Sequence, residues 1–336
     1  MTSQELKAAA KSFGADLVGI ASTASLAYLP KEDNPLSIFP QAKNVIIIGR
    51  KIPRGALRGI EQGTEMDNSF AQFGFIDLED NFLAKTTYDV NIWMEARGFE
   101  AVPLFAYDCA GQPVGVPVAP GKPAPNVILK YRVLAQAAGL GETGLNGLFL
   151  TPEFGPRQRF AILLTDAELE PDPIFEGKIC DRCKACVTHC HGNAISMDES
   201  VKVTVAGHEL EWNKLDPLAC EKGIQGGANR ELSPFEGEYP RMYGYGRAIE
   251  GACGCIRACM VHLEERRTIK NLFKNKFRSS PQWEIDRSKP YELTPEVVEF
   301  YEKSGKIEDF EAYITYNKRD NYGTDKTDGK VNPLVD

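Results

Sequence analysis

The sequence predicts an α+β protein: an α/β sandwich over residues 1–175, a cysteine-rich domain over 176–262, and a C-terminal helical extension over 263–336. Three observations carry this reading. Helical and strand patterns mix through the first half without the regular strand–helix alternation of a parallel sheet. Eight of the nine cysteines fall between Cys180 and Cys259. Pro171-Asp172-Pro173 separates the two regions, where paired prolines interrupt any regular element.

Each element follows from its residues. Thr2-x-x-Glu5 is a capping box, Leu6, Ala9, Ala10 and Phe13 share one face, and Gly14 stops the helix, so 2–13 is helical. Leu17–Ala21 and the apolar run Val45–Ile48 read as strands, the second buried. Leu78–Arg97 carries a long helical pattern that Gly98 ends, and Phe99–Phe105 follows as a strand. Five prolines (113, 117, 120, 123 and 125) make 111–125 a loop. Ile128–Ala138 is helical, and Arg159–Thr165 is a buried strand. Past the cysteines, Thr294-Pro295-Glu296 starts a helix, with threonine as N-cap and proline at the first helical position.

Composition excludes several classes. The 336 residues give room for about two domains, and 43% of them are hydrophobic, enough for a sizeable core. A net charge of −8 argues against a nucleic-acid partner, which calls for a basic face. No run of 18 apolar residues offers a membrane span. The N-terminus lacks the charged and apolar regions of a signal peptide, and no twin arginine occurs there, so the expected location is cytoplasmic. In a reducing compartment, clustered cysteines are read as metal ligands rather than disulfides.

The spacing Cys180-x2-Cys183-x2-Cys186-x3-Cys190 is that of bacterial ferredoxins, in which three cysteines wrap one [4Fe–4S] cubane and the fourth serves a second. The second group is Cys220 with Cys253-x-Cys255-x3-Cys259. The crossing rule assigns cluster one to Cys180, Cys183, Cys186 and Cys259, and cluster two to Cys190, Cys220, Cys253 and Cys255. Eight thiolates fill two cubanes. A zinc site would call for paired Cys-x2-4-Cys motifs instead. Three departures stand out: His191 follows Cys190 where proline is usual, Met260 follows Cys259, and Cys253-x-Cys255 is one residue shorter than the ferredoxin spacing. His189 and His191 are read as solvated loop residues, with hydrogen bonding to cluster sulfur as the alternative. Cys109 stands apart, as a small buried side chain or as a site-facing thiol beside Tyr107 and Asp108.

Gly139-x-Gly141-x-x-Gly144 imitates a dinucleotide fingerprint, and Asp166 follows after a strand. The fingerprint must follow a strand and open a helix. Here it follows a helical pattern and no helical period comes after it, so nicotinamide binding is rejected. A glycine-dense turn still lets backbone approach a large ligand closely.

Residues Ala138–Arg157, continued by Arg159–Asp166 and Leu169–Asp172, resemble the segment that precedes the clusters in reductive dehalogenases and epoxyqueuosine reductases. Pro40–Gly49 resembles their N-terminal strand, and with the cysteines the likeness covers most of 1–262. The resemblance implies a nitroreductase-like domain that binds cobalamin base-off, followed by a two-cluster ferredoxin-like domain that supplies electrons. The four histidines (189, 191, 208 and 262) form no Asp-x-His-x-x-Gly pattern, in keeping with cobalt that lacks a histidine ligand. Glu142-Thr-Gly-Leu-Asn146 stands where epoxyqueuosine reductases carry a Trp-x-Gly-Lys-Asn-like element. Those enzymes act on transfer RNA and add a helical-repeat domain for which the residues after 262 are too few. Respiratory dehalogenases are typically longer and begin with a twin-arginine signal. The chain is thus read as a short, cytoplasmic relative of both.

The activity so implied is reductive cleavage or reduction of a small organic substrate, with FMN as the alternative cofactor and plain electron transfer or corrinoid carriage as the non-catalytic alternatives. Such chemistry consumes protons, and Tyr107, Tyr131 and Lys130 are the candidate donors. Gly139, Gly141, Asn146, Thr151 and Gly155 are candidate corrinoid contacts. Arg157 and Arg159 could hold a corrin side chain or an anionic leaving group, or pair with surface acids. The basic run Arg266, Arg267, Lys270, Lys274, Lys276 and Arg278 reads as a solvated helix face, or as a dock for an acidic low-potential donor, a ferredoxin or flavodoxin.

Overall fold

The computed structural model describes residues 1–65, 67–105, 116–125, 127–190, 192–205, 207–216, 219–220 and 254–281. Tyr107, Cys109, His191, Cys253 and the helix start at Thr294 lie outside the described residues. Among the described residues no helix is long and apolar enough to cross a membrane.

The capping box forms as the sequence predicts. In α1 (Ser3–Ser12) the Thr2 hydroxyl accepts the Glu5 N–H at 3.2 Å and the Glu5 carboxylate accepts the Thr2 N–H at 2.7 Å. The chain then enters β1 (Leu17–Ser22), and a short helix α2 (Pro35–Ile38) leads to β2 (Asn44–Lys51). After α3 (Arg58–Gln62) the backbone widens into π-helix over Asp67–Ile76 and Leu78–Leu83, then tightens into α4 (Ala84–Glu95). The expected single helix over 78–97 is therefore π-helical for its first 6 residues and α-helical for the next 12. The π stretch before it was not expected, because its wider turn blurs the 3.6-residue pattern that marks an α-helix.

Next come β3 (Ala101–Phe105), α5 (Tyr131–Ala137), the two-residue strands β4 (Glu142–Thr143) and β5 (Phe149–Leu150), and β6 (Gln158–Thr165). Helix α5 starts at Tyr131, later than the predicted Ile128, whose N–H bonds the Glu32 carbonyl at 3.3 Å.

The central sheet has the order β1-β2-β6-β3, with every neighbouring pair antiparallel. Alternation along β2 splits its side chains between two cores. Val45 and Ile47 pack with Leu17, Leu134, Phe160 and Ile162 on the α5 side. Ile46 and Ile48 pack with Leu6, Ala10, Val90 and Met94 beneath α1 and α4. All four β2 residues are fully buried, each worth roughly 1.5–3 kcal/mol of apolar transfer. The continuous apolar run in the sequence reflects a strand covered on both faces.

The Pro171–Pro173 boundary is bonded to this sheet. The Asp172 carboxylate accepts the Ile20 N–H at 2.9 Å and pairs with Lys7, and the Asp172 N–H returns a bond to the Ile20 carbonyl at 2.8 Å. Beyond it lie α6 (Ala185–Thr188), a long hairpin of β7 (Ile195–Val205) and β8 (His208–Leu215), and α7 (Cys255–Glu265). The hairpin interrupts the cysteine-rich segment and was not expected there, although Val201, Val203 and Val205 alternate as strand residues do. Its Val205 and Leu210 join the core beside α5.

Helix α7 is keyed into the first half of the chain. Ile256, Met260 and Val261 pack with Ile52, Leu57, Ile60 and Phe70. Arg257, fully buried, meets Glu61 at 2.7 Å. Residues 266–281 are irregular rather than helical, which corrects the expected helix face and the start of the predicted helical extension. Tertiary bonds replace helical ones: Lys270 and Asn271 donate their N–H groups to Pro152 and Glu153 carbonyls at 2.8 and 2.9 Å. Much of the basic run is likewise committed, Arg266 to Asp181, Lys270 to Glu153 and Arg278 to Glu61.

Candidate functional site

The Cys180–Cys186 segment is a tight loop built against its own conformational preference. Arg182 and Lys184 both take left-handed backbone angles, φ 59° and 66°, on either side of Cys183. Non-glycine residues there cost on the order of 1–3 kcal/mol each. Successive residues of alternating hand turn their N–H groups inward, the arrangement that cradles anions at many iron–sulfur sites.

Helices α6 and α7 pack against each other. Cys255 and Cys259 lie a turn apart on one face of α7, about 6 Å along the axis, while Cys186 lies on α6 and Cys190 two residues past its end. Each helix region thereby offers one cysteine to each of two groups. The thiols of Cys180, Cys183, Cys186 and Cys259 influence one another. Burial first, then Cys180 and Cys183, pushes the Cys186 thiol up to about 12. Burial first, then Cys186, Cys180 and Cys183, pushes Cys259 well above its ordinary value. Cys190 forms a separate apolar group with Ala194 and Ile195, against which Cys220 and Cys255 pack. Cys253 lies outside the described residues.

The donor chemistry fits iron. Four clustered thiolates, with Cys186 buried and Cys180 and Cys259 partly so, repel one another and are disfavoured where the dielectric is low, so they stay ionised only around compensating cations. Each set also receives a backbone bond to sulfur, from Leu145 N–H to Cys180 Sγ at 3.4 Å and from Ala194 N–H to Cys190 Sγ at 3.3 Å.

Around the first set, Asp181 accepts from Cys183 N–H at 3.3 Å and faces His262 Nε2 at 3.0 Å, with Arg266 alongside. His262 is thus paired with a carboxylate. His189 closes α6 and His208 opens β8.

The glycine-rich segment passes directly over the first set. It follows α5 and leads into the β4–β5 hairpin, which agrees with rejecting a dinucleotide fingerprint. Gly139 and Gly141 adopt φ +73° and +156°, and a side chain at either would meet backbone of this chain, the Pro173 and Leu150 carbonyls. Asn146 is buried; its Oδ1 accepts the Leu148 N–H at 3.1 Å, while its Nδ2 has no hydrogen-bond partner among the described residues. The neighbouring Thr143 Oγ1 is also buried without one. Two orphaned polar atoms on one turn fit a bound polar-rimmed group, because buried polar atoms are otherwise almost always satisfied.

The rest of the segment is bonded inward. Thr151 donates to Gln158 at 3.0 Å and accepts the Phe154 N–H at 3.1 Å. Gly155, at φ +60°, sits against Leu263 of α7. Arg157 is buried, donating to the Ile52 carbonyl at 2.9 Å and to Asn271 at 2.8 Å. Burial, the largest cause, lowers its pKa to about 10. Arg159 donates to the Gly74 carbonyl at 3.1 Å and lies 3.4 Å from Glu79. Of the candidate proton donors, Lys130 pairs with Asp33 at 2.6 Å, and Tyr131 opens α5 half-buried against Phe160, centroids 6.1 Å apart.

Sequence reasoning missed Glu61, Arg257 and Glu142. Glu142 accepts the N–H groups of Ile179 and Cys180, both at 2.6 Å. None has a local spacing signal, since each partner is distant in sequence.

No protein-family model matches the chain. It is 35% identical over 142 residues to tetrachloroethene reductive dehalogenase of Desulfitobacterium hafniense, covering 41% of this chain and 20% of that protein. It is 45% identical over 95 residues to epoxyqueuosine reductase of Vibrio cholerae, covering 28% of this chain and 26% of that one. The matches thus span about a fifth to a quarter of these relatives' length. A solved epoxyqueuosine reductase structure aligns with a TM-score of 0.48 at 19% identity, over 90% of this chain and 75% of that chain. Over part of its length the chain is thus similar in sequence to both reductive dehalogenases and epoxyqueuosine reductases.

Proposed function

We propose that this chain is a corrinoid-dependent iron–sulfur reductase that cleaves or reduces a bond in a small organic molecule. The observation that carries the reading is the approach of the Glu142–Asn146 turn, with its orphaned Asn146 and Thr143 atoms, to Cys180 of the first cysteine set. On this reading residues 1–175 form a nitroreductase-like domain, 176–262 a double-cluster ferredoxin-like domain, and 263–336 an extension. When bound, two [4Fe–4S] clusters would supply one-electron steps, and a corrinoid the reducing metal centre.

The protein's own part is holding, orienting and protonating. Cys180, Cys183, Cys186 and Cys259 hold one cluster, and Cys190, Cys220, Cys253 and Cys255 the other. Asn146 Nδ2 and Thr143 Oγ1 offer polar contacts to the corrinoid. No histidine precedes His189, so residues 1–175 have none to place on cobalt. Two-electron cleavage of a bond calls for a proton, and half-buried Tyr131 is a better donor than Lys130, whose ammonium is already paired with Asp33. A ferredoxin or flavodoxin supplies the electrons.

The test is anaerobic reconstitution with cobalamin, followed by electron paramagnetic resonance of the cobalt. A base-off spectrum without nitrogen splitting from an axial ligand supports the reading. A nitrogen-ligated spectrum, or no protein-bound cobalt at all, overturns it.

A further inference from the structure

We propose that Glu142 is a positioning residue that fixes Cys180 and thereby sets the reduction potential of the cluster this cysteine holds. The inference rests on the iron–sulfur reading above and deepens it. One carboxylate oxygen of Glu142 accepts two consecutive backbone N–H groups, those of Ile179 and Cys180, each at 2.6 Å. These bonds come from strand β4, 37 and 38 residues earlier in the chain, so they tie the entry of the cysteine loop to another element.

Three residues further along the same turn, Leu145 donates its N–H to Cys180 Sγ at 3.4 Å. The Leu145 carbonyl is held in turn by Asn213 N–H of β8 at 2.8 Å. The peptide that carries this N–H is held at its other end, where the Gly144 carbonyl accepts the Gly147 N–H at 2.9 Å, so the length of the N–H to sulfur bond depends on where Cys180 sits. Glu142 decides that. An N–H dipole pointed at a ligand sulfur favours the more negative, reduced cluster, so keeping the bond raises the potential. In the second set the Cys190 N–H bonds locally, to the Val187 carbonyl at 3.2 Å, and the Cys220 N–H to the Asp216 carbonyl at 2.9 Å.

The experiment compares Glu142→Gln with Glu142→Ala in the anaerobically reconstituted full chain, by iron content and by a redox titration of both clusters. Both variants remove the charge, and only the glutamine keeps an acceptor oxygen. The expected result is that E142A holds one cluster at a more negative midpoint than E142Q does, while the second cluster agrees between the two. Loss of half the iron in E142A with full iron in E142Q supports the same conclusion through rescue. Coincident midpoints, or equal iron loss in both variants, overturn it. Absence of clusters from the unmutated chain would instead overturn the iron–sulfur reading itself.

Discussion

Replacing Glu61 by alanine isolates the contact that ties the cluster helix to the first half of the chain. Arg257 lies between Cys255 and Cys259 on α7 with its side chain fully buried, and Glu61 is 4% exposed and 2.7 Å from it. Arg278 closes the group with a second bond to Glu61 at 3.0 Å. Glu61→Ala strands the Arg257 guanidinium without its carboxylate. Breaking one partner of a buried ion pair costs about 3–5 kcal/mol. At a urea dependence of about 3 kcal/mol per molar, the midpoint falls by roughly 1 M or more. Anaerobic urea titration followed by circular dichroism measures it. The double variant Glu61→Leu with Arg257→Met removes both charges and is expected to recover most of the loss. A midpoint for E61A within 0.2 M of the parent, on the order of 0.6 kcal/mol, refutes the reasoning. So does a double variant no more stable than the single.

The same glutamate predicts a pH dependence. Burial alone would raise its pKa, but hydrogen bonds from Arg278 and Arg257 outweigh this and hold it below the ordinary 4.5. The contribution is therefore full above the unfolded value and is lost as pH falls through the lower folded value; acid titration of E61A beside the parent checks this, the variant showing the shallower loss. Cys259→Ser and Cys255→Ser are each expected to lose one cluster, leaving about four of eight irons, with different clusters surviving in the reduced-state resonance spectra. Asn146→Asp keeps the acceptor used by Leu148 and removes the orphaned donor; it is expected to weaken corrinoid binding about tenfold or more, a hydrogen bond's worth of roughly 1–3 kcal/mol. Unchanged affinity in an absorption titration argues against Asn146 as a contact.

What the sequence makes legible is local or periodic. The capping box at Thr2 and the strands at Leu17, Val45, Ala101 and Arg159 follow from residues close in the chain. The β7–β8 hairpin is hard to read because most of β7 is exposed, so the alternation of Val201, Val203 and Val205 covers only its C-terminal part. The π-helical stretches escape a 3.6-residue pattern by their geometry. The basic run was read as a helix face, yet its charges answer acids far away: Glu61, Glu153 and Asp181. In the sequence Glu142 only opens the Glu142–Asn146 segment. Its role depends on bonds to residues 37 and 38 positions away, which no single-sequence pattern encodes.

On the proposed function, the two cysteine sets and the turn beside Cys180 serve one electron path ending at a corrinoid. Metal analysis of the anaerobically reconstituted chain decides between this and its alternatives. The expected result is about eight irons and about one cobalt per chain, the cobalt arriving only with added corrinoid. Half that iron, zinc in its place, or full iron with no retained cobalt would contradict it.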